Sequence, residues 1–459
     1  HPPHHPGLYN AAVLLRGGDV QLVAAKRLLP TYDVYFEARW FLPGPPASPV
    51  TIAGQRAGAP SWRIGVLICE DLWDEGYDVH PPADLLAAGA ELLIGISASP
   101  FRRGTLAQRL HTMRRPHCPL VYVNLVGAND ELIFDGRSLV LNGDGDVVTQ
   151  LPGFEEAVQV VDLNELRMKS EELRVKSEES RIKSQESSVQ HRAPNNPQPT
   201  THNPQPEEEV FHALALGIRD FAQKNGLDHT FLGLSGGIDS AVAAVIAAEA
   251  MGPEHVTAVA IPSRYSDPRS TSSARELAEA LGIAFEVVEL EPLHATAEIA
   301  LDELMTHGTT AENVQARLRA IVLMAFVNCH GGMLLNTSNK TELALGYGTL
   351  YGDMAGTLCP IADLTKPEIY ALAQWIQQTR DNPIPAFILE RPPSAELKPD
   401  QVDPFDYPKV APILERFIQE NRSNPALRRS EHKRWHMGVV LKVSEKAFGT
   451  GRMIPITRK

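Results

Sequence analysis

Residues 229–234, HTFLGL, are an apolar run bounded by polar positions, the pattern of a short buried strand. The stretch DSAVAAVIAAEAMG that follows is rich in Ala and predicts a helix, with Asp239 and Ser240 in its first turn and Gly252 as its stop. The alternation continues. VTAVAIP reads as a second strand, STSSARELAEALG as a helix stopped by Gly282, and AFEVVEL as a third strand. ENVQARLRAIVLMAF is then a further helix, and GGMLLNTSNKTE a strand running into a polar turn. Strands alternating with helices predict a doubly wound parallel sheet covered on both faces, with ligands beyond the carboxyl ends of the strands.

The first third of the chain has its own pattern. SWRIGVLICEDLWDEGY predicts a buried strand, Ile64 to Ile68, that delivers Cys69 at its end, and VQLVAAKRLLPTYDVYFEARWF sets Lys26 at the end of another. Glu70 and Asp71 disfavour a thiolate at Cys69 unless a base or cation is close. Between the halves stand three seven-residue units, ELRMKSE, ELRVKSE and ESRIKSQ, from Glu165 to Gln185. Their apolar places leave one stripe, Met168, Val175 and Ile182, too narrow for a coiled-coil seam. APNNPQPTTHNPQP then has too much Pro and Asn to pack. The expected organisation is therefore a domain over residues 1–163, a solvated linker over 164–206 and a second domain over 207–459.

Composition narrows the classes. A chain of 459 residues, 43% hydrophobic and 22% charged, suits a soluble enzyme of more than one domain. A formal net charge of −13 argues against a nucleic-acid surface. No apolar stretch approaches the ~20 residues of a membrane span, so no membrane partner is expected. Four cysteines without a Cys-x-x-Cys pair speak against zinc or a disulfide framework and suit a reducing cytoplasm.

The chemistry concentrates in SGGIDS, at residues 235–240. It joins a strand end to a helix N-terminus, where free backbone N–H groups and the helix dipole favour an anion, and Gly236 and Gly237 allow that anion to touch the backbone. No Lys follows as in the common phosphate loop, and the dinucleotide fingerprint does not fit. SGGIDS instead resembles the pyrophosphate loop of ATP pyrophosphatases, of the adenine nucleotide alpha hydrolase type. With PSRYS, ENVQARLR, TSNKTE, GYGTLYGDMAG, PIADLTK, PSAEL and SEHKRWHMGVVLKVSEKAFGTGRMIP, the series is similar to the NAD synthetases from Glu207 to Lys459.

That resemblance implies adenylation of the nicotinate carboxylate of deamido-NAD by ATP, followed by displacement of AMP by ammonia. Ser235, Gly236, Gly237, Ile238, Asp239, Ser240, Arg264, Thr337, Lys366 and Ser394 match positions toward ATP. Asn313, Arg317, Glu342, Asp353 and Lys433 match positions toward deamido-NAD, and Asp239 and Glu342 match the carboxylates that hold Mg²⁺. Bringing a carboxylate up to a triphosphate demands cations, and Mg²⁺ commonly takes one or two carboxylates together with phosphate oxygens. The resemblance also implies a homo-oligomer formed through this half.

Residues 1–163 resemble the nitrilase, or carbon–nitrogen hydrolase, superfamily as it occurs in the glutamine-dependent NAD synthetases, which implies part of an α-β-β-α sandwich. Cys69 matches the nucleophile, Lys26 the Lys that stabilises the oxyanion, and Tyr32 and Ser99 positions toward glutamine. The superfamily's Glu base lies in a segment before the one matched by His1, Glu37 falls after the Lys, and Thr105 stands where a glutamine-contacting Lys is usual. The expectation is therefore that ammonium serves this chain and glutamine serves it poorly. Two alternatives to a glutamine-dependent enzyme follow: an ammonia-only synthetase with a vestigial amidase half, and a silent nucleotide-binding subunit.

Overall fold

The computed structural model describes residues 7–53, 61–163, 166, 205–420, 422 and 425–449. The chain divides into two compact units, one of His1–Gly127 and Phe134–Asn203, the other of Ala128–Ile133 and Pro204–Lys459.

In the first unit, β1 (Ala11–Arg16) and β2 (Asp19–Ala25) form an antiparallel hairpin. A six-stranded sheet is built from β3 (Val50–Ile52), β4 (Trp62–Ile68), β5 (Leu92–Ser97), β6 (Leu120–Asn124), β9 (Leu139–Leu141) and β10 (Val147–Gln150), in the order β10-β9-β6-β5-β4-β3. A second hairpin, β7 (Val126–Asn129) and β8 (Leu132–Asp135), stands between β6 and β9 in the chain, and its residues Ala128–Ile133 belong to the second unit. The central trio β4, β5 and β6 is parallel, and helices α1 (Pro81–Ala87) and α2 (Thr105–Arg114) cross between its strands. Leu67, Leu93, Leu120 and Tyr122 from these strands pack with Leu85 and Met113 from the helices, which fixes the strand end that carries Cys69. Leu166 is buried with Trp62, Leu92 and Val140, so the core of this unit reaches past the expected linker start at residue 164. Residues 164, 165 and 167–204, with the seven-residue units apart from Leu166, lie outside the described residues, while Pro206, expected in the linker, opens a helix of the second unit.

The second unit holds a wholly parallel sheet of β11 (Thr230–Gly233), β12 (Val256–Ala260), β13 (Ala284–Val287), β14 (Met333–Leu335), β15 (Leu358–Cys359) and β16 (Val439–Val440). Its order is β13-β12-β11-β14-β15-β16, and a doubly wound parallel sheet is what the sequence pattern predicts. The order reverses between β11 and β14, and a sheet of this kind opens a crevice at that point beyond the strands' carboxyl ends. The helices are α3 (Pro206–Asn225), α4 (Ile238–Met251), α5 (Pro268–Leu281), α6 (Glu291–Leu301), α7 (Thr310–His330), α8 (Lys340–Leu345), α9 (Lys366–Thr379), α10 (Ala386–Glu390), α11 (Tyr407–Gln419) and α12 (Pro425–Arg434). α4 is buried around almost its whole circumference, between α3, α5 and α9, and its Ala side chains let those neighbours approach closely. α5 begins earlier than the sequence pattern suggests because Asp267 caps it, accepting from Arg269 N at 2.9 Å, with Pro268 in the first turn.

Candidate functional site

The loop after β11 is held by its own hydroxyls. Ser240 Oγ donates to the Gly237 carbonyl at 2.9 Å, Ser235 N donates to Ser240 Oγ at 3.3 Å, and the two hydroxyls lie 3.2 Å apart. Gly236 has φ +75°, and a Cβ there would stand 2.5 Å from the Ser270 carbonyl oxygen, so the loop lies flat against the start of α5 only with glycine. Ile238 is buried and anchors the first turn of α4.

β14 ends opposite this loop, and α8 begins with a reciprocal cap: Asn339 Oδ1 accepts from Glu342 N at 3.0 Å, and Glu342 Oε2 from Asn339 N at 3.3 Å. The same Asn339 donates through Nδ2 to Asp239 Oδ1 at 2.9 Å. Lys366, at the start of α9, reaches between the carboxylates, 2.5 Å from Asp239 Oδ2 and 3.4 Å from Glu342 Oε1. Burial and the nearby Asp239 charge push the Glu342 carboxyl up, against Lys366. Burial alone would lower Lys366, but Asp239 and Glu342 hold it above its ordinary range. Once both carboxyls are ionised, two carboxylates sharing one ammonium leave one negative charge over. Together with phosphate oxygens, such a pair is a donor set that fits Mg²⁺.

A cavity of about 250 Å³ opens beside the loop, lined among others by Ser235, Gly237, Arg319, Thr337, Asp353 and Ser394. Thr337 and Ser394 thus share one cavity with the loop, and Ser394 Oγ donates to the Gln401 carbonyl at 2.5 Å. Asn313, Arg317, Asp353 and Lys433 converge on one stretch, residues 346–353. Asn313 Oδ1 accepts from Thr349 Oγ1 at 2.8 Å, and Arg317 Nε donates to the Leu350 carbonyl at 3.2 Å. Asp353 Oδ1 accepts from Thr349 N at 2.5 Å, and Lys433 Nζ donates to the carbonyls of Gly346 and Gly348 at 3.0 and 2.7 Å. Arg264 differs from expectation. It donates from Nε to Glu291 Oε2 at 2.9 Å and pairs with Glu298 at 3.0 Å, because two acids of α6 offer its guanidinium paired oxygens. Sequence reasoning missed Arg319, Arg391 and Glu396. Arg391 donates to Ser270 Oγ at 2.6 Å and to Glu396 Oε1 at 2.8 Å, a contact across more than a hundred residues that no local pattern announces.

In the first unit, Cys69 follows β4 directly and has φ +46°, a conformation that turns the chain sharply at the strand end. Lys26 is 1% exposed, and its Nζ lies 2.6 Å from Glu37 Oε1. Glu37, set aside on chain order, is therefore part of the group. Burial raises the Cys69 thiol above its ordinary range, the Lys26 charge opposes this, and Glu70 and Glu37 add to it. Asp71 faces the backbone, accepting from Arg27 N and Leu28 N at 2.9 Å each. Glu70 is held by the hydroxyls of Tyr32 at 3.0 Å and Tyr77 at 2.9 Å. Ser99 is fixed through its backbone, its N–H donating to Asn124 Oδ1 at 2.9 Å. Thr105 opens α2 and accepts from Arg102 N at 3.0 Å, a helix-start role.

Comparison with known proteins gives two family matches: NAD synthase over residues 210–446 and Carbon-nitrogen hydrolase over residues 1–170. The chain is 37% identical to a glutamine-dependent NAD(+) synthetase of Synechocystis, covering 99% of this chain and 83% of that one. It is 36% identical to one of Rhodobacter capsulatus, covering 99% and 82%. Among solved structures it resembles glutamine-dependent NAD+ synthetase of Acinetobacter baumannii in complex with adenosine diphosphate, at 29% identity and a TM-score of 0.70, covering 98% of this chain and 81% of that one.

Proposed function

The chain belongs to the NAD synthase family in its glutamine-dependent, two-unit form, and on that premise we propose that it converts deamido-NAD, ATP, glutamine and water to NAD, AMP, pyrophosphate and glutamate. The observation that carries this reading is the SGGIDS loop at the sheet's switch point, with Asp239 and Glu342 sharing the ammonium of Lys366 beside it. The ammonia-only alternative and the silent subunit gain no support from the relatives, which are named as glutamine-dependent synthetases.

A nicotinate carboxylate oxygen attacks the α-phosphorus of ATP, the bond from that phosphorus to the bridging oxygen breaks, and pyrophosphate leaves toward the backbone N–H groups of the loop. Ammonia then attacks the activated carbonyl, AMP departs, and one proton is lost. Asp239 and Glu342 would hold Mg²⁺, which supplies positive charge against the crowded phosphates when bound. Thr337 and Ser394 line the ATP side, while Asn313, Arg317, Asp353 and Lys433 shape the deamido-NAD side through the stretch they jointly hold.

In the first unit Cys69 Sγ attacks the glutamine amide carbon, ammonia leaves, and water hydrolyses the thioester. Lys26, set in place by Glu37, faces the oxyanion, and Tyr32 and Ser99 lie toward glutamine. The four cysteines are free, which fits a reducing cytoplasm. Exposed Ile299, Leu304 and Ile321, on α6, the turn after it and α7, favour a homo-oligomer through the second unit.

The test is a product analysis with deamido-NAD, ATP, Mg²⁺ and either nitrogen donor. NAD with AMP and pyrophosphate is expected. ADP and phosphate would mean cleavage at the wrong bond and would overturn the reading. Asp239→Ala should abolish turnover and Mg²⁺-dependent ATP binding together.

A further inference from the structure

Helix α7 presents Ala316, Arg319, Ala320 and Leu323 to the cavity beside the loop, the spacing of one helical face. Three of these are small or apolar, and Arg319 is the charge among them. Its Nε donates to the Ile261 carbonyl at 3.1 Å, which steers the side chain past the end of β12. Among the described residues it has no salt-bridge partner. It feels the field of two acids from different parts of the site: Glu396, two residues from Ser394, and Asp353, from the stretch held by Asn313, Arg317 and Lys433. Burial pulls the guanidinium below its ordinary range and those two acids oppose this. Taking a guanidinium out of water without a partner is costly, and an anion that enters the cavity removes that cost.

Among the described residues, the other cations considered for this site are already engaged. Arg264 pairs with Glu291 and Glu298, Arg391 with Glu396, Lys366 with Asp239 and Glu342, and Lys433 with two carbonyls. Arg317 lies two residues from Arg319, about 200° away around the helix, and is exposed where Arg319 faces the cavity. The loop and the Lys366 cluster face the departing pyrophosphate. Among the described residues, Arg319 is the cation of the cavity that remains for the phosphate that is attacked.

We propose that Arg319 is a catalytic residue of the adenylation step, its terminal N–H groups holding two non-bridging oxygens of the ATP α-phosphate where the nicotinate carboxylate meets it. A planar guanidinium fork matches a pair of phosphate oxygens, and it sits where negative charge gathers as the new O–P bond forms and the bond to pyrophosphate breaks. The electron pair of the broken bond leaves with pyrophosphate, and Arg319 neither gives nor takes a proton. The inference rests on the synthetase reading above.

The experiment follows the deamido-NAD-dependent exchange of labelled pyrophosphate into ATP, with ammonia and glutamine omitted, in the full chain. Arg319→Gln should slow exchange by ~10²-fold or more with a much smaller change in KM for ATP, the loss typical of one preorganised transition-state donor. Arg319→Lys should restore part of the rate. ATP carrying sulfur on the α-phosphate separates a contact from a structural role. In the wild-type chain sulfur at either of these two non-bridging oxygens should slow exchange relative to ATP, and Arg319→Gln should lose most of that slowing. An exchange rate within ~3-fold of wild type in Arg319→Gln, or a lost rate with the sulfur effect intact, overturns the proposal. Absence of exchange in the wild-type chain overturns the synthetase reading, and this inference with it.

Discussion

Lys366 is 3% exposed, and Asp239 and Glu342, on either side of it, are 17% and 18% exposed. Removing one partner from a largely buried ion cluster leaves the rest uncompensated, a loss of roughly 3 kcal/mol. Lys366→Met should therefore unfold at lower urea than wild type when no metal is present, and added Mg²⁺ with ATP should restore part of the difference by binding only the folded state. Equal urea midpoints in metal-free buffer would show that the ammonium contributes nothing there. Lys442 makes a pH-dependent case. Burial lowers its ammonium from 10.5 to about 8, so between those values the unfolded chain binds more protons than the folded one. Its contribution to stability accordingly improves as pH rises from 8 to 10.5, and the cost of burying its charge is complete below 8. Lys442→Met should stabilise the protein by about 1–3 kcal/mol at pH 7 and by much less at pH 10.5. A gain that does not change with pH in calorimetry would assign it to packing instead.

Elements were legible wherever the chain carries its own punctuation. Gly252 and Gly282 end their helices as the sequence predicts, and apolar runs of four or five residues became β11 and β12. Cys69 at the end of β4 was equally readable. Partners were not: Arg264 with Glu298, Arg391 with Ser270 and Lys26 with Glu37 are chosen by folded geometry, across intervals with no periodicity to read. Gly236 joins the two kinds of information, since its φ of +75° is a local requirement and its 2.5 Å approach to Ser270 a tertiary one. Gly236→Ala should lose about 1 kcal/mol from backbone conformation and a further 1–3 kcal/mol from overpacking. ATP binding should weaken with it, and unaltered ATP binding by calorimetry would mean that α5 yields freely. The linker needs a finer cut than its pattern suggests. Leu166 is 1% exposed, so Leu166→Ala should cost roughly 2–3 kcal/mol, whereas deleting residues 168–185 should leave the melting temperature nearly unchanged.

At the scale of the whole molecule, two chemistries share one chain, and Cys69→Ala should separate them: NAD formation from glutamine should vanish while formation from ammonium stays near the wild-type rate. Loss of both would mean that the substitution damaged more than the thiol. The chain is not, however, divided where its linker runs. Residues Ala128–Ile133 belong to the second unit. Ala128 N donates to Asp220 on α3 at 2.7 Å, Lys442 N donates to the Glu131 carbonyl at 2.9 Å, and a Cβ on Gly217 would stand 3.2 Å from Ile133 Cδ1. A gene split at the linker would therefore leave the second product without six of its own residues, Ala128–Ile133.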